Sequence, residues 1–193
     1  MSRKHRSRSR KKKTSLARWL FVGGALLLVA VVAWAVGRPT SSAAVTPSGV
    51  AGAQVGDTAP DFSVPTLDGG TFTLSAQRGR PTVIFFMAYW CSTCLSEARA
   101  LAQIRDEYGD RVQIIAIDVD PSSTPESLAR FKRSAGAGDF VWAFDTAQTV
   151  ARAYQVRSLD TTLILDANGV VVYRDEFPTP YRTLKRTLAR AVP

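Results

Sequence analysis

The sequence has little of what most catalytic and metal centres are built from. It contains one histidine, His5, and two cysteines, Cys91 and Cys94. His5 sits in a basic stretch at the start, so the globular part has no Cys–His nucleophilic pair and no histidine-ligated metal site. A structural zinc needs four ligands, and two sulfurs fall short of that. Two cysteines are also too few for a disulfide framework, and a bridge across so short a loop adds little stability, because the entropic gain grows with loop length. A basic face for nucleic acid is missing as well. The formal charge is +9, but nine of the 25 Lys and Arg residues precede Trp19, which leaves 16 basic against 16 acidic residues in the rest of the chain. The basicity belongs to a tail rather than to a binding surface. There is no internal repeat.

What is present begins with that tail. Residues 1–18 are a Ser/Arg/Lys run without apolar periodicity, read as disordered and cytoplasmic. Trp19 to Val36 is free of charge and rich in Leu, Val and Ala. As a helix it would reach ~27 Å, near the thickness of the bilayer hydrocarbon, so it is expected to span the cell membrane once. Trp19 and Trp34 stand near its ends as interfacial anchors, and the cations before it place the N-terminus inside and residues 37 onward outside the cytoplasm. A cleaved signal peptide competes with this reading, since Ala33-Trp34-Ala35 fits a small-x-small cleavage site; the apolar run is long for one, and an uncleaved signal anchor is preferred. No cysteine ends the run, which excludes lipid attachment there. Residues 37–56 are rich in Ser, Thr, Ala, Pro and Gly and read as a flexible linker. The folded domain is expected over 57–193.

That domain opens with a short strand at Ala59–Val64, a turn at Leu67–Gly70 and a return strand at Thr71–Leu74. Ser75 is expected to cap a short helix. Pro81–Ala88 (PTVIFFMA) is continuously apolar and reads as a central strand buried on both faces. A helix follows from Cys91 to Tyr108, with Leu95, Ala98, Leu101, Ala102 and Ile104 as its apolar stripe and Gly109 as its stop. Val112–Ile117 is a second buried strand. Thr124-Pro125 starts another helix, Thr124 as cap and Pro125 at the first position. Val141–Phe144 is a strand, Thr146–Tyr154 a helix, Thr161–Leu165 and Val170–Arg174 a hairpin, and Thr179-Pro180 the start of a last helix capped by Thr179. Alternating strands and helices imply an α/β domain, a parallel sheet to which the closing hairpin adds antiparallel strands.

The stretch Trp90-Cys91-Ser92-Thr93-Cys94 joins the central strand to the first long helix. A thiolate is what attacks a disulfide, and the N-terminus of a helix favours an anion. Cys91 stands there. Cys94, one turn further on and more buried, is within reach of it. The division of labour that follows is attack by Cys91 and resolution by Cys94.

These residues resemble the thioredoxin superfamily, and within it the membrane-anchored TlpA/ResA-type thiol–disulfide oxidoreductases. The resemblance covers residues 55–190 and is carried by Ala59-Pro60-Asp61-Phe62, the strand-to-Trp-Cys-x-x-Cys junction, and Tyr154-Gln155-Val156 followed by Thr161-Thr162-Leu163-Ile164-Leu165-Asp166 and Gly169. It implies a thioredoxin-like α/β fold: a central mixed sheet flanked by helices, with an N-terminal β-hairpin extension and a separate N-terminal transmembrane helix. It also implies an enzyme that moves electrons to or from protein disulfides on the extracytoplasmic side, supplied by a membrane thiol carrier, with no cofactor and no metal.

Three departures from the family pattern matter. Thr93 stands where the family often has proline. Phe85 stands where thioredoxins carry a buried aspartate, so the usual proton acceptor is missing. Asp160 stands where a cis-proline is placed, facing the cysteine pair. A cis bond before a non-proline residue costs ~2.5–4 kcal/mol, so a trans bond is expected. A carboxylate at that place would tune the pKa of Cys91 or relay its proton. Trp90, Tyr89 and Thr161 are the candidates for substrate docking. Glu97 reads as part of a solvated helix face, and Asp118 and Asp120 as acids ending a strand. Reduction of protein disulfides is the preferred activity. A disulfide-forming oxidant and a Cu(I)-binding, metallochaperone-type module using the same two thiolates are its rivals. A thiol peroxidase is disfavoured, since Met87 to Trp90 holds no Thr or Ser.

Overall fold

The computed structural model describes residues 53–136 and 138–192. The basic tail, the apolar segment 19–36 and the linker as far as residue 52 lie outside them. Among the described residues no helix is long and apolar enough to cross a membrane.

Strands β1 (Ser63–Pro65) and β2 (Thr71–Thr73) pair antiparallel around the Leu67–Gly70 turn. Ser75–Gln77 forms a single 3₁₀ turn rather than a capped helix, and Ser75 contributes no side-chain cap. Strand β3 (Thr82–Met87) is buried along its whole length. Its β-branched and aromatic side chains alternate between two cores, one on each side of the sheet. Helix α1 (Ser92–Tyr108) follows, with Cys91 as its N-cap residue. It stops at Gly109, whose φ of 55° lies in the left-handed region that a side chain would disfavour.

Strand β4 (Gln113–Asp118) leads into helix α2 (Pro125–Ser134). The cap there is Thr124, in a reciprocal capping box with Ser127, with Pro125 in the first turn. Strand β5 (Val141–Phe144), helix α3 (Thr149–Ala153), strands β6 (Thr161–Leu165) and β7 (Val171–Asp175), and helix α4 (Tyr181–Ala191) complete the domain. The N-cap residue of α4 is Pro180, with no side-chain cap bond. Thr179, expected in that role, instead turns its hydroxyl to Asp175 and its amide to Glu97.

The sheet order is β5-β4-β3-β6-β7. β3, β4 and β5 run parallel, and β6 and β7 run antiparallel to their neighbours. Val83, Phe85 and Met87 pack with Ala98, Leu101 and Ile104 of α1, Leu128 and Phe131 of α2, and Leu184 and Leu188 of α4. Ile84 and Phe86 pack on the other side with Val64 and Phe72 of the first hairpin and Val150 and Ala151 of α3. At ~1.5–3 kcal/mol for each large apolar side chain fully buried, β3 is anchored in both cores. Its C-terminal end is therefore a rigid place from which to present Cys91.

The domain begins earlier than residue 57. Ala53 is fully buried, and the Gly56 amide donates to the Val171 carbonyl at 2.8 Å. The last residues read as linker are thus part of the fold along β7.

Candidate active site

Beyond Met87 the chain turns through Ala88, Tyr89 and Trp90, and the Cys91 amide donates back to the Ala88 carbonyl at 2.9 Å. This turn sets Cys91 at the head of α1. Cys91 and Cys94 form a disulfide with Cα atoms 5.3 Å apart. Cys91 Sγ accepts from the Cys94 backbone N–H at 3.2 Å. That amide is one of the unpaired donors of the helix start, so the fold stabilises negative charge on Cys91. Cys91 keeps a sliver of exposure at 6 %, and Cys94 has none. Only the first sulfur can be approached from outside.

Opposite the pair lies the loop before β6. It is held by the Thr161 hydroxyl donating to the Ser158 carbonyl at 2.7 Å and by the Ser158 hydroxyl donating to the Glu176 carbonyl at 3.2 Å. Thr161 is 0 % exposed, so it is no part of a docking surface as expected; its side chain is consumed in closing this loop. The bond before Asp160 is trans, and Asp160 has φ 61°. Aspartate is among the few residues that visit this left-handed region, at a cost of about 1 kcal/mol.

Two of the three departures, Thr93 on α1 and Asp160 on this loop, meet here. The Thr93 hydroxyl donates to Asp160 Oδ2 at 2.6 Å, and Cys91 Sγ lies 3.3 Å from that hydroxyl and 3.8 Å from the same carboxylate oxygen. Asp160 is 4 % exposed, and its Oδ1 is buried with no hydrogen-bond partner among the described residues. Burial pushes its carboxyl above the usual carboxylate range; the Thr93 bond pulls the other way, and the nearby Asp175 adds to the rise.

The third departure, Phe85, is offset by Glu97, which the fold buries. Phe85 is core, as its type dictates. Glu97, expected on a solvated face, is 1 % exposed. It lies one turn past Cys94 on the buried stripe of α1, which runs Cys94, Glu97, Ala98, Leu101 and Ile104. Its Oε1 accepts from the Thr162 hydroxyl at 2.5 Å, and its Oε2 from the Thr179 amide at 3.0 Å. Thr162 is the cross-strand partner of Phe85. Burial raises the Glu97 carboxyl to about 8, against the two hydrogen bonds and with help from Asp175 and Asp160. The buried acid absent from the strand is thus supplied by the helix. The helical spacing from Cys94 was the available clue. A further acid, Asp175, accepts from Tyr173 and Thr179 at 2.5 and 2.7 Å, and its Oδ1 is buried without a partner among the described residues. None of the ion pairs among the described residues involves Glu97, Asp160 or Asp175.

The approach to Cys91 is shaped by β4 and its loop. Trp90 is 60 % exposed, and its indole N–H donates to Asp120 Oδ2 at 2.6 Å. Asp120 is held in turn by Asp118, which accepts from its amide at 3.1 Å and from the Ser123 hydroxyl at 2.6 Å. Asp118 is buried, and burial raises its carboxyl. Both acids therefore position the aromatic rim rather than merely ending a strand. The Tyr89 hydroxyl lies 3.4 Å from that of Ser122. Tyr89, Trp90, Cys91, Leu95, Arg130 and Phe131 line a groove of ≈ 370 Å³ beside the disulfide.

The domain that carries this site matches known proteins. Residues 55–174 match the model of the AhpC/TSA family. The chain is similar to the thioredoxin-like protein YneN of Bacillus subtilis, at 30% identity over 81% of this chain and 88% of that one. It is similar to the thiol–disulfide oxidoreductase ResA of Bacillus thuringiensis, at 31% identity over 62% of this chain and 68% of that one. Among solved structures it resembles a protein of Chlorobium tepidum assigned as the thiol:disulfide interchange protein DsbE, with TM-score 0.66, 26% identity, and 72% of this chain and 99% of that chain covered.

Proposed function

The chain belongs to the AhpC/TSA family, among its thioredoxin-like thiol–disulfide oxidoreductases, and from that membership we propose that it reduces protein disulfides outside the cytoplasm through Cys91 and Cys94. The Cys91 thiolate attacks one sulfur of the substrate disulfide. A mixed disulfide forms, and the other substrate sulfur leaves as a thiolate that takes up a proton. Cys94 then attacks Cys91 Sγ, which closes the 91–94 bond and releases the second substrate thiol. Two electrons pass to the substrate, and a membrane thiol carrier restores the pair.

The observation that carries the reductive direction is the Asp160 carboxyl 3.8 Å from Cys91 Sγ. A strong disulfide-forming oxidant is one whose reduced form is stabilised. A carboxylate beside the nucleophile does the opposite, because like charge disfavours the thiolate. Asp160 therefore sets the reactivity of Cys91, and the Thr93 hydroxyl sets Asp160. Glu97, buried one turn beyond Cys94 with its carboxyl raised to about 8, is suited to hold a proton near neutral pH and to exchange it with the buried end of the pair during resolution. Trp90 and the groove beside it dock the substrate chain. The nine cations ahead of Trp19 and the uncharged run behind them support a single-pass anchor with this domain on the outer side.

The experiment is a Cys94→Ser trap of the full chain in its native host. A mixed disulfide through Cys91 with a captured protein is expected, and a membrane-impermeant thiol reagent should label the free Cys91 in intact cells. Failure to trap any partner would contradict the exchange reading, and labelling only after lysis would contradict the location.

A further inference from the structure

Reduction of the 91–94 bond would leave three ligand atoms in one place. Sγ of Cys91, Sγ of Cys94 and a carboxylate oxygen of Asp160 all lie within 4.8 Å of one another, and all three residues are buried. Asp160 also carries a buried oxygen, Oδ1, that no group among the described residues satisfies. A buried acceptor left unpaired costs on the order of 1–3 kcal/mol, and a charged one more, so this carboxylate has capacity for a partner beyond the Thr93 hydroxyl on Oδ2.

We propose that the reduced protein binds one divalent cation of the zinc class through Cys91, Cys94 and Asp160. A two-residue gap between cysteines is the spacing that lets two thiolates grip one tetrahedral ion. With metal–sulfur bonds of about 2.3 Å and a metal–oxygen bond of about 2.1 Å, a tetrahedral site sets the sulfurs ~3.8 Å apart and each sulfur ~3.6 Å from the oxygen. Cys91 Sγ already stands 3.8 Å from Asp160 Oδ2. The sulfurs, 2.08 Å apart in the disulfide, are free to separate once it is reduced.

The carboxylate decides the class of metal. Two thiolates alone suit Cu(I). A hard oxygen as third ligand favours a borderline divalent ion, and three anionic ligands leave the fourth position open. Binding forms two metal–sulfur bonds and one metal–oxygen bond in place of metal–water bonds, and releases the displaced waters and the protons of the two thiols; no electrons move. The oxidised protein has no thiolates to offer, so occupancy depends on redox state, and an ion held by both sulfurs keeps Cys91 from attacking a disulfide.

The test uses the full chain, reduced, freed of reductant and kept anaerobic, with Co(II) as probe and Zn(II) as competitor. The expected result is saturation at one equivalent, with the visible bands of tetrahedral cobalt and a sulfur-to-cobalt charge-transfer band, both removed by Zn(II). Asp160→Asn should keep two titratable thiols and weaken binding by ~10-fold or more, Cys94→Ser should abolish the bands, and the disulfide form should show none. Equal binding by native and Asp160→Asn chains would overturn the proposal, as would a reduced native chain without tetrahedral bands or an oxidised chain that shows them. Disulfide exchange by the metal-free protein is a separate readout, so failure of the metal site and failure of the reductase reading can be told apart.

Discussion

Replacing Glu97 by glutamine should make the stability of the domain less dependent on pH. Glutamine has nearly the same shape, and its amide oxygen can accept from the Thr179 amide while its NH₂ donates to the Thr162 hydroxyl, so both buried contacts survive. What is lost is the titration. Burial raises the Glu97 carboxyl from 4.5 to about 8 in the folded protein. Between those values the folded state holds a proton that the unfolded chain has released. The stabilisation from Glu97 is therefore complete below pH ~4.5 and is lost as pH rises to ~8. At ~1.4 kcal/mol per pH unit the total is at most about 5 kcal/mol. Urea denaturation of the oxidised native and Glu97→Gln proteins at pH 5 and pH 9 measures it, because other titrations cancel between the two chains. The two should agree within about 1 kcal/mol at pH 5, and the variant should be the more stable by several kcal/mol at pH 9. A difference that does not change with pH would refute the raised carboxyl and with it the role given to Glu97 in resolution.

Further outcomes follow from the same site. Thr93→Val removes the hydroxyl that serves Asp160 and should cost ~1–3 kcal/mol in urea denaturation; in an Asp160→Asn background the cost should shrink, giving a coupling of ~1 kcal/mol in a double-mutant cycle. Asp160→Asn alone removes the charge beside Cys91, so the Cys91 thiol of the reduced chain should titrate at lower pH than in the native protein, as followed by thiolate absorbance. Proline is a poor probe at this position, because φ 61° lies far from the ~−65° its ring imposes. Trp90→Ala should leave Tm unchanged, since the ring is exposed, while lowering kcat/KM for a protein disulfide ~10-fold or more and sparing a small-molecule disulfide.

Much of this fold is written in local chemistry. The apolar run that became β3, the Thr124-Pro125 start of α2 and the Gly109 stop of α1 each depend on neighbours within a turn. The position of Cys91 at a helix N-terminus followed from the same kind of reasoning. What was hidden depends on partners far along the chain. Glu97 meets Thr162 and Thr179 across 65 and 82 residues, and Thr93 meets Asp160 across 67. An isolated acid on a helix reads as solvated until its neighbours in space are known. Thr161 misled in the same way, since a residue beside the site can spend its hydroxyl on the loop behind it. Asp160 stands out in the sequence because it replaces a family proline; its bond from Thr93 exists only in the folded chain.

Under the proposed function this dithiol gives electrons to its substrates. The equilibrium reduction potential of the Cys91–Cys94 pair, measured in the full chain against dithiothreitol and glutathione buffers, tests that most directly. With acidic groups beside the pair, a value below about −230 mV is predicted, toward the reducing end of the thiol oxidoreductases. A value near about −120 mV, where strong disulfide-forming oxidants lie, would mean that the reduced pair is stabilised and would contradict the claim.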